Sequence, residues 1–275
     1  LGMYLVALFA MTAAFFALYL VLGVHPNILR AESGLMLELS DSGRYRDFVQ
    51  HFIVRDHNGH YTPIAFWFEY QQIGLFRMNE TAWLIRNALV SAILAGSIAT
   101  FFTNLWATRS AWSWIVGISV GLVVVCQPAM TELLNWPFMA LQGMCMSVGY
   151  LAAAALLRTS RTERLTWAGI AVPLALGYGS MHFFGAGLPI SLGVIAAAVA
   201  LLWLRRTEAD RLWVSIGLIG FALIVTIGHA WFMLQSETER AAGGLDILVA
   251  VQRIGTLTSE MLRAATVGML SSQYQ

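Results

Sequence analysis

Residues 82–106 read AWLIRNALVSAILAGSIATFFTNLW, and this apolar run decides the fold class. A helix needs about 20 mostly apolar residues to cross the hydrocarbon core of a bilayer. The run exceeds that length and contains Arg86 as its one charged residue. It therefore predicts a transmembrane helix rather than the buried helix of a soluble domain.

The composition of the whole chain points to the same environment. Of its 275 residues, 58% are hydrophobic and 11% are charged, and the mean hydropathy is +0.68. A soluble domain carries about 25% charged residues, so a soluble monomer, a disordered chain and a coiled coil are excluded. The formal net charge is +1 and every basic residue is Arg, which gives no basic footprint for nucleic acid. We expect an all-α polytopic integral membrane protein whose first partner is the lipid bilayer.

Six further apolar runs have the character of membrane spans. The seven predicted transmembrane helices are residues 4–24, 82–106, 112–125, 138–157, 166–181, 184–204 and 212–234. The chain is then a single membrane domain over residues 1–275. In this organisation residues 25–81 are a large first outer loop, residues 82–235 hold six further transmembrane helices, and residues 236–275 are an outer-side tail.

The distribution of arginine orients these spans. Cytoplasmic loops of membrane proteins carry an excess of Lys and Arg. The loop at Arg109 and the loops over residues 158–164 and 205–211 are basic, whereas the intervening segments are neutral or acidic. Seven spans with a cytoplasmic N-terminus place every basic loop inside and the long loop over residues 25–81 outside.

The long outer loop concentrates the polar residues and predicts two helices. The first covers residues 41–54, with Ser40 as its N-cap. The second begins at Thr62 and Pro63, a cap residue followed by proline at the first helical position, and continues to about residue 76. Both helices are rich in aromatic residues, so we expect them to lie in the headgroup interface.

Asp56, His57 and His60 lie between the two predicted helices and permit two interpretations. Histidine and carboxylate side chains are ligands for Zn²⁺ and similar ions. The same residues also suit a hydrogen-bonded turn that anchors the loop at the membrane surface. Both interpretations stay open, but no helix fixes the spacing of the two histidines, so we expect no resident metal and no cofactor.

Three sequence patterns match those of a family of multi-pass membrane proteins. HNGHYTPI at residues 57–64 resembles the G-H-[YF]-x-P-[LI] segment of that family's first outer loop. The residues GLF at 74–76, Asn79 and WLIRN at 83–87 resemble the entry into its second span. Gln127 and Pro128, followed by Glu132 and Trp136, resemble a pattern of its second outer loop in which His-Pro precedes Glu and Trp. By these patterns the chain resembles the GT-C glycosyltransferases.

The resemblance implies a seven-span core in a bacterial inner membrane, with the first large loop on the periplasmic side. It also implies transfer of a sugar from a polyprenyl-phosphate donor on the outer face of that membrane. The sequence departs from the family pattern, since Gln127 replaces a common His and the first Asp is Asp41 instead of one a few residues after the first span. The alternative is therefore a non-catalytic accessory subunit of a larger membrane complex, built on a GT-C-like core, with other membrane subunits as its partners.

An active transferase needs a base for the acceptor and positive charge for the leaving phosphate. Asp41 and Asp47 are the candidate catalytic bases, and Arg86 is the candidate phosphate ligand. The competing interpretation of Asp41 is a carboxylate in the first turn of a helix, where the helix dipole stabilises it. Arg86 could instead extend to the membrane interface or pair with Glu80.

Four further residues are candidates for substrate binding: Glu132, His57, His60 and His182. Glu132 could equally pair with an arginine of the first loop, and His182 could have a purely structural place at the outer end of the fifth span. His229 lies inside the last predicted span. An ionisable residue there indicates function by default, either as a ligand to a haem or pigment or, more simply, as a hydrogen-bonding partner of a neighbouring helix.

Overall fold

The protein is all-helical in a computed structural model that describes residues 2–28, 32–54, 61–106, 111–126, 136 and 140–234. A π-helical turn, Val49–Ile53, directly follows the short helix Tyr45–Phe48. The helices are α1 (Gly2–Val21), α2 (Glu32–Asp41), α3 (Tyr45–Phe48), α4 (Pro63–Phe76), α5 (Glu80–Leu105), α6 (Ala111–Val125), α7 (Ala140–Thr159), α8 (Trp167–Met181), α9 (Gly187–Leu204) and α10 (Leu212–Leu234). Each of the seven predicted apolar spans coincides with a helix, so the all-α class is confirmed.

Four of these helices are long and apolar enough to span a membrane, namely α5, α7, α9 and α10. This is what an integral membrane protein requires. The apolar stretches Val6–Val21 of α1 and Trp112–Val125 of α6 are shorter, and α8 has 15 residues with Pro173 inside it. The count of seven spans therefore stays a prediction, as does the outer-side tail, because residues 235–275 lie outside the described residues.

Helix α5 is the centre of the first half of the helical bundle. It packs against α1, α6 and α7, whereas α7 also packs against α8 and α9. Helix α8 in turn packs against α9 and α10. The buried side chains form one cluster between α1 and α5, a second among α7, α8, α9 and α10, and a third around α2, α3 and α4. Helix α7 joins the first two clusters.

Two glycines allow α6 to approach α5 closely. A Cβ atom at Gly117 would lie 2.8 Å from the Cα atom of Ala99, and one at Gly121 would lie 2.9 Å from the Cα atom of Ala95. Both obstacles are backbone atoms, which cannot rotate away. Small residues at such contacts let membrane helices pack backbone against backbone.

Replacing Gly121 by Ala is expected to destabilise the protein by about 1–3 kcal/mol, because the added methyl group overpacks the α5–α6 contact. The matched control is Gly220→Ala in α10, where no described atom lies within 4 Å of the added Cβ. Thermal unfolding of both variants in detergent measures the difference. Equal midpoints for the two variants would contradict the close contact between α5 and α6.

In residues 25–81, the predicted outer loop, the second of the two expected helices is present with the expected bounds. Thr62 is the N-cap residue, Pro63 is the first helical residue and Phe76 is the last. One face of α4 is buried against the other loop helices, and it includes Phe66 and Tyr70. The opposite face exposes Trp67 and Phe68, so the aromatic residues divide between a core and a surface. Placement of that surface in the headgroup interface stays a prediction.

The predicted first helix of the outer loop is wrong at its start. Residues 32–41 form α2, so Ser40 and Asp41 lie at the end of a helix and not at the beginning of one. Gly43, with φ of 66°, then turns the chain into α3. Its N–H donates to the carbonyl of Ser40, and the N–H of Arg44 donates to the carbonyl of Leu39. This paired bonding is the Schellman motif, which ends helices at a glycine, so the loop contains α2, α3 and α4 instead of two helices.

Candidate functional site

A buried ion pair joins α4, which lies in the predicted outer loop, to the long apolar helix α5. Nη2 of Arg86 in α5 lies 2.6 Å from Oε2 of Glu69 in α4. The side chains are 6% and 0% exposed, so both charges are removed from solvent. Glu69 also accepts a longer hydrogen bond of 3.5 Å from the hydroxyl of Ser33, which brings α2 into the same network.

The other nitrogen atoms of Arg86 have partners as well. Nε donates to Oε1 of Gln72 at 2.8 Å, and Nη1 donates to Oδ1 of Asn87 at 2.9 Å. The guanidinium carbon lies 5.4 Å from the ring centroid of Trp83, within the range of a cation–π contact. Every nitrogen of the guanidinium is thus engaged, as a buried Arg requires.

Helix periodicity explains why α4 presents two partners to one guanidinium. Glu69 and Gln72 are three residues apart on α4 and therefore lie on the same face. Burial raises the pKa of the Glu69 carboxyl, and the positive charge of Arg86 opposes that rise. The arrangement fixes the position of α4 on α5, because either charge alone in this setting would be strongly unfavourable.

These contacts decide between the sequence-based interpretations of Arg86. It is buried, so it does not extend to the membrane interface, and its carboxylate partner is Glu69. Glu80 instead places a carboxylate oxygen 3.7 Å from Nδ1 of His25. Sequence reasoning did not single out Glu69, although an acid in the middle of the aromatic helix α4 was an available signal.

The two candidate catalytic bases lie in exposed ion pairs. Asp41 is 3.2 Å from Nη1 of Arg77 and half-exposed. Because Asp41 is the last residue of α2, the interpretation that places it in the first turn of a helix is wrong. Asp47 is 3.8 Å from Nη1 of Arg44, and Nη2 of Arg44 is 2.6 Å from Glu38.

Asp47 borders a small open cavity on the outer loop, between α2 and the segment formed by α3 and its π-helical turn. The cavity has a volume of about 270 Å³. Its charged and polar lining residues are Glu38, Arg44, Asp47, Gln50 and His51. The structure therefore brings one candidate base together with an arginine, although Arg86 belongs to the separate buried network.

His182 and His229 are adjacent to each other. Their ring centroids are 5.1 Å apart, and the rings of Tyr61 and Tyr178 lie within 5.3 Å of one histidine or the other. Among the described residues, no group of three or more His, Cys, Asp or Glu side chains is placed to hold a metal ion. The adjacency of these two histidines, one at the end of α8 and one inside α10, was not predicted.

The remaining candidates lie outside the described residues. These are His57 and His60 of the first loop and Glu132 of the second. Asp56 and Gln127 lie outside them as well. Their proposed roles, including the open choice between a metal site and a hydrogen-bonded turn, stay predictions.

Comparison with known proteins finds no matching family model, no matching curated protein and no matching solved structure. The likeness to GT-C glycosyltransferases therefore rests on the three sequence patterns and on their order along the chain.

Proposed function

We propose that this protein is a non-catalytic subunit of a larger membrane complex, built on a GT-C-like core. The observation that carries the proposal is the engagement of Arg86, the residue that an active transferase would use to bind the donor phosphate. Its three nitrogen atoms bond to Glu69, Gln72 and Asn87 inside the protein. A phosphate could bind Arg86 only by displacing the Glu69 carboxylate, which would then be buried without its partner.

The surface of α10 supports the same proposal. Cβ atoms added at Gly217, Gly220 and Gly228 would meet no described atom within 4 Å. Large apolar side chains on the same helix are also exposed, among them Trp213 and Ile224. Glycines that face open space on a membrane helix let a further helix approach closely. A transmembrane helix of another subunit is apolar too and therefore matches this surface of α10.

Purification of the full chain from its native membrane in mild detergent, followed by mass spectrometry, tests this function. We expect other membrane subunits to co-purify in fixed stoichiometry. The variants Asp41→Asn and Asp47→Asn are expected to leave that stoichiometry and the function of the complex unchanged, since both carboxylates are exposed. Recovery of the chain alone, with a polyprenyl phosphate bound, would overturn the proposal.

The second candidate is a glycosyltransferase that uses a polyprenyl-phosphate sugar on the outer face of a bacterial inner membrane. The cavity that contains Arg44 and Asp47 favours it, because an acid and an arginine in one cavity can serve as base and phosphate ligand. Transfer from a lipid-linked sugar by the wild-type chain, lost in Asp47→Asn but retained in Glu80→Gln, would establish this function. Absence of transfer by the intact complex would exclude it.

A further inference from the structure

Two histidines meet where the ends of α8 and α10 approach the start of α4. His182 directly follows α8, and His229 lies near the end of α10. The ring centroids are 5.1 Å apart, with the ring planes at 82° to each other. Neither residue belongs to the Glu69–Arg86 network or to the outer-loop cavity, so the function proposed above does not account for them.

Each imidazole has one ring nitrogen without a partner. Nδ1 of His182 and Nε2 of His229 are buried, and within the described part of the chain neither atom has a hydrogen-bond partner. A buried polar atom left without a hydrogen-bond partner is unfavourable. Two such atoms on adjacent rings point to a ligand that accepts electron pairs.

The ring of Tyr61 lies beside that of His229, with the two ring centroids 5.3 Å apart. In the tautomer that carries its proton on Nδ1, Nε2 of His229 has a lone pair and can bind a metal.

His182 is also held in place and remains accessible. Its carbonyl accepts a hydrogen bond of 3.0 Å from the N–H of Ala65 in α4, and the ring of Tyr178 lies edge-on at 4.8 Å. The side chain is only partly buried, which leaves a path from the surface.

We propose that His182 and His229 bind a divalent transition metal such as Zn²⁺, through Nδ1 of His182 and Nε2 of His229, with water completing the coordination. A metal about 2.1 Å from each nitrogen, with a tetrahedral angle between them, sets the ring centroids about 5 Å apart. The observed separation is 5.1 Å. Imidazole is a preferred ligand for Zn²⁺, Cu²⁺ and Ni²⁺. The bound ion joins α8 to α10 and, through Tyr61, to the segment that leads into α4.

Calorimetric titration of the chelator-treated full chain with Zn²⁺ in detergent tests the site. We expect one Zn²⁺ per chain at this site, with a dissociation constant at least tenfold higher in His182→Gln and in His229→Gln. The matched control is His25→Gln, because His25 is 79% exposed and lies beside Glu80 instead of another histidine. Unchanged affinity in all three variants, or no binding by the wild-type chain, would overturn the proposal.

A variant that fails to fold would lose Zn²⁺ for an unrelated reason, so His229→Cys is made alongside. A thiol at this position keeps a metal ligand, and Co²⁺ bound to a thiolate absorbs in the near ultraviolet. The proposal expects this band to be stronger in His229→Cys than in His25→Cys and in the wild-type chain, whose own thiols are Cys126 and Cys145. A folded His229→Cys protein, judged by its circular dichroism, that shows no band with Co²⁺ would overturn the proposal.

Discussion

Glu69→Leu is expected to lower the free energy of unfolding by about 3–5 kcal/mol, because it leaves the charge of Arg86 buried without its carboxylate. The guanidinium would keep its bonds to Gln72 and Asn87, but neither partner carries a negative charge. Removing one member of a buried ion pair costs far more than breaking an exposed one. Thermal and SDS-induced unfolding in detergent micelles measure the change.

Two further variants separate the ion pair from other effects of the substitution. The double variant Glu69→Leu with Arg86→Met is expected to regain most of the lost stability, since apolar residues of similar volume often replace a buried pair without loss. Glu80→Leu is the exposed control, because its carboxylate is 61% exposed and faces His25, and we expect a change below about 1 kcal/mol. A double variant no more stable than Glu69→Leu would show that the unpaired charge of Arg86 is not the cause of the lost stability.

The double variant, which lacks the ion pair, also distinguishes between the two candidate functions. In a non-catalytic subunit, Arg86 serves only to hold α4 on α5. The double variant is then expected to keep its partner subunits in native purification. A transferase that used Arg86 as a phosphate ligand would lose its activity in the same variant, even though the fold survives. One protein preparation therefore reports on both stability and function.

Local sequence signals predicted the helices of this fold wherever those signals were strong. The apolar runs marked all seven long helices, and Thr62 with Pro63 marked the start of α4. The error at residues 40–44 had a local cause too, because Ser40 fits an N-cap but Gly43 ends the preceding helix. A glycine followed by a further helix-forming segment can mark the end of one helix and the entry to the next, and here that signal outweighs the cap.

The candidate sites depended on contacts that no local pattern contains. Glu69 and Arg86 are 17 residues apart on different helices, so their pairing follows from the way α4 packs on α5. His182 and His229 meet only because α8 packs against α10. Residue type drew attention to Arg86, His182 and His229, but the partner of each is set by tertiary packing.

Phe48→Ala is expected to destabilise the outer loop by about 3–5 kcal/mol, the usual cost of removing a buried Phe side chain. Phe48 is fully buried. Its ring stacks on that of Tyr70 at 4.0 Å and lies 5.7 Å from that of Phe52. These aromatic contacts connect α3 and its π-helical turn to α4, so the loss should concentrate there.

Hydrogen exchange resolved by segment tests this expectation, because local opening raises exchange only in the affected unit. Amides of α2, α3 and α4 should exchange faster in Phe48→Ala, whereas those of α7 and α9 should not change. Leu75→Ala is the control on the exposed side of α4, where the side chain is 77% exposed, and we expect little effect from it. Faster exchange throughout the bundle would mean that the outer loop and the membrane helices unfold as one unit, and the Glu69–Arg86 pair that joins α4 to α5 would then couple them.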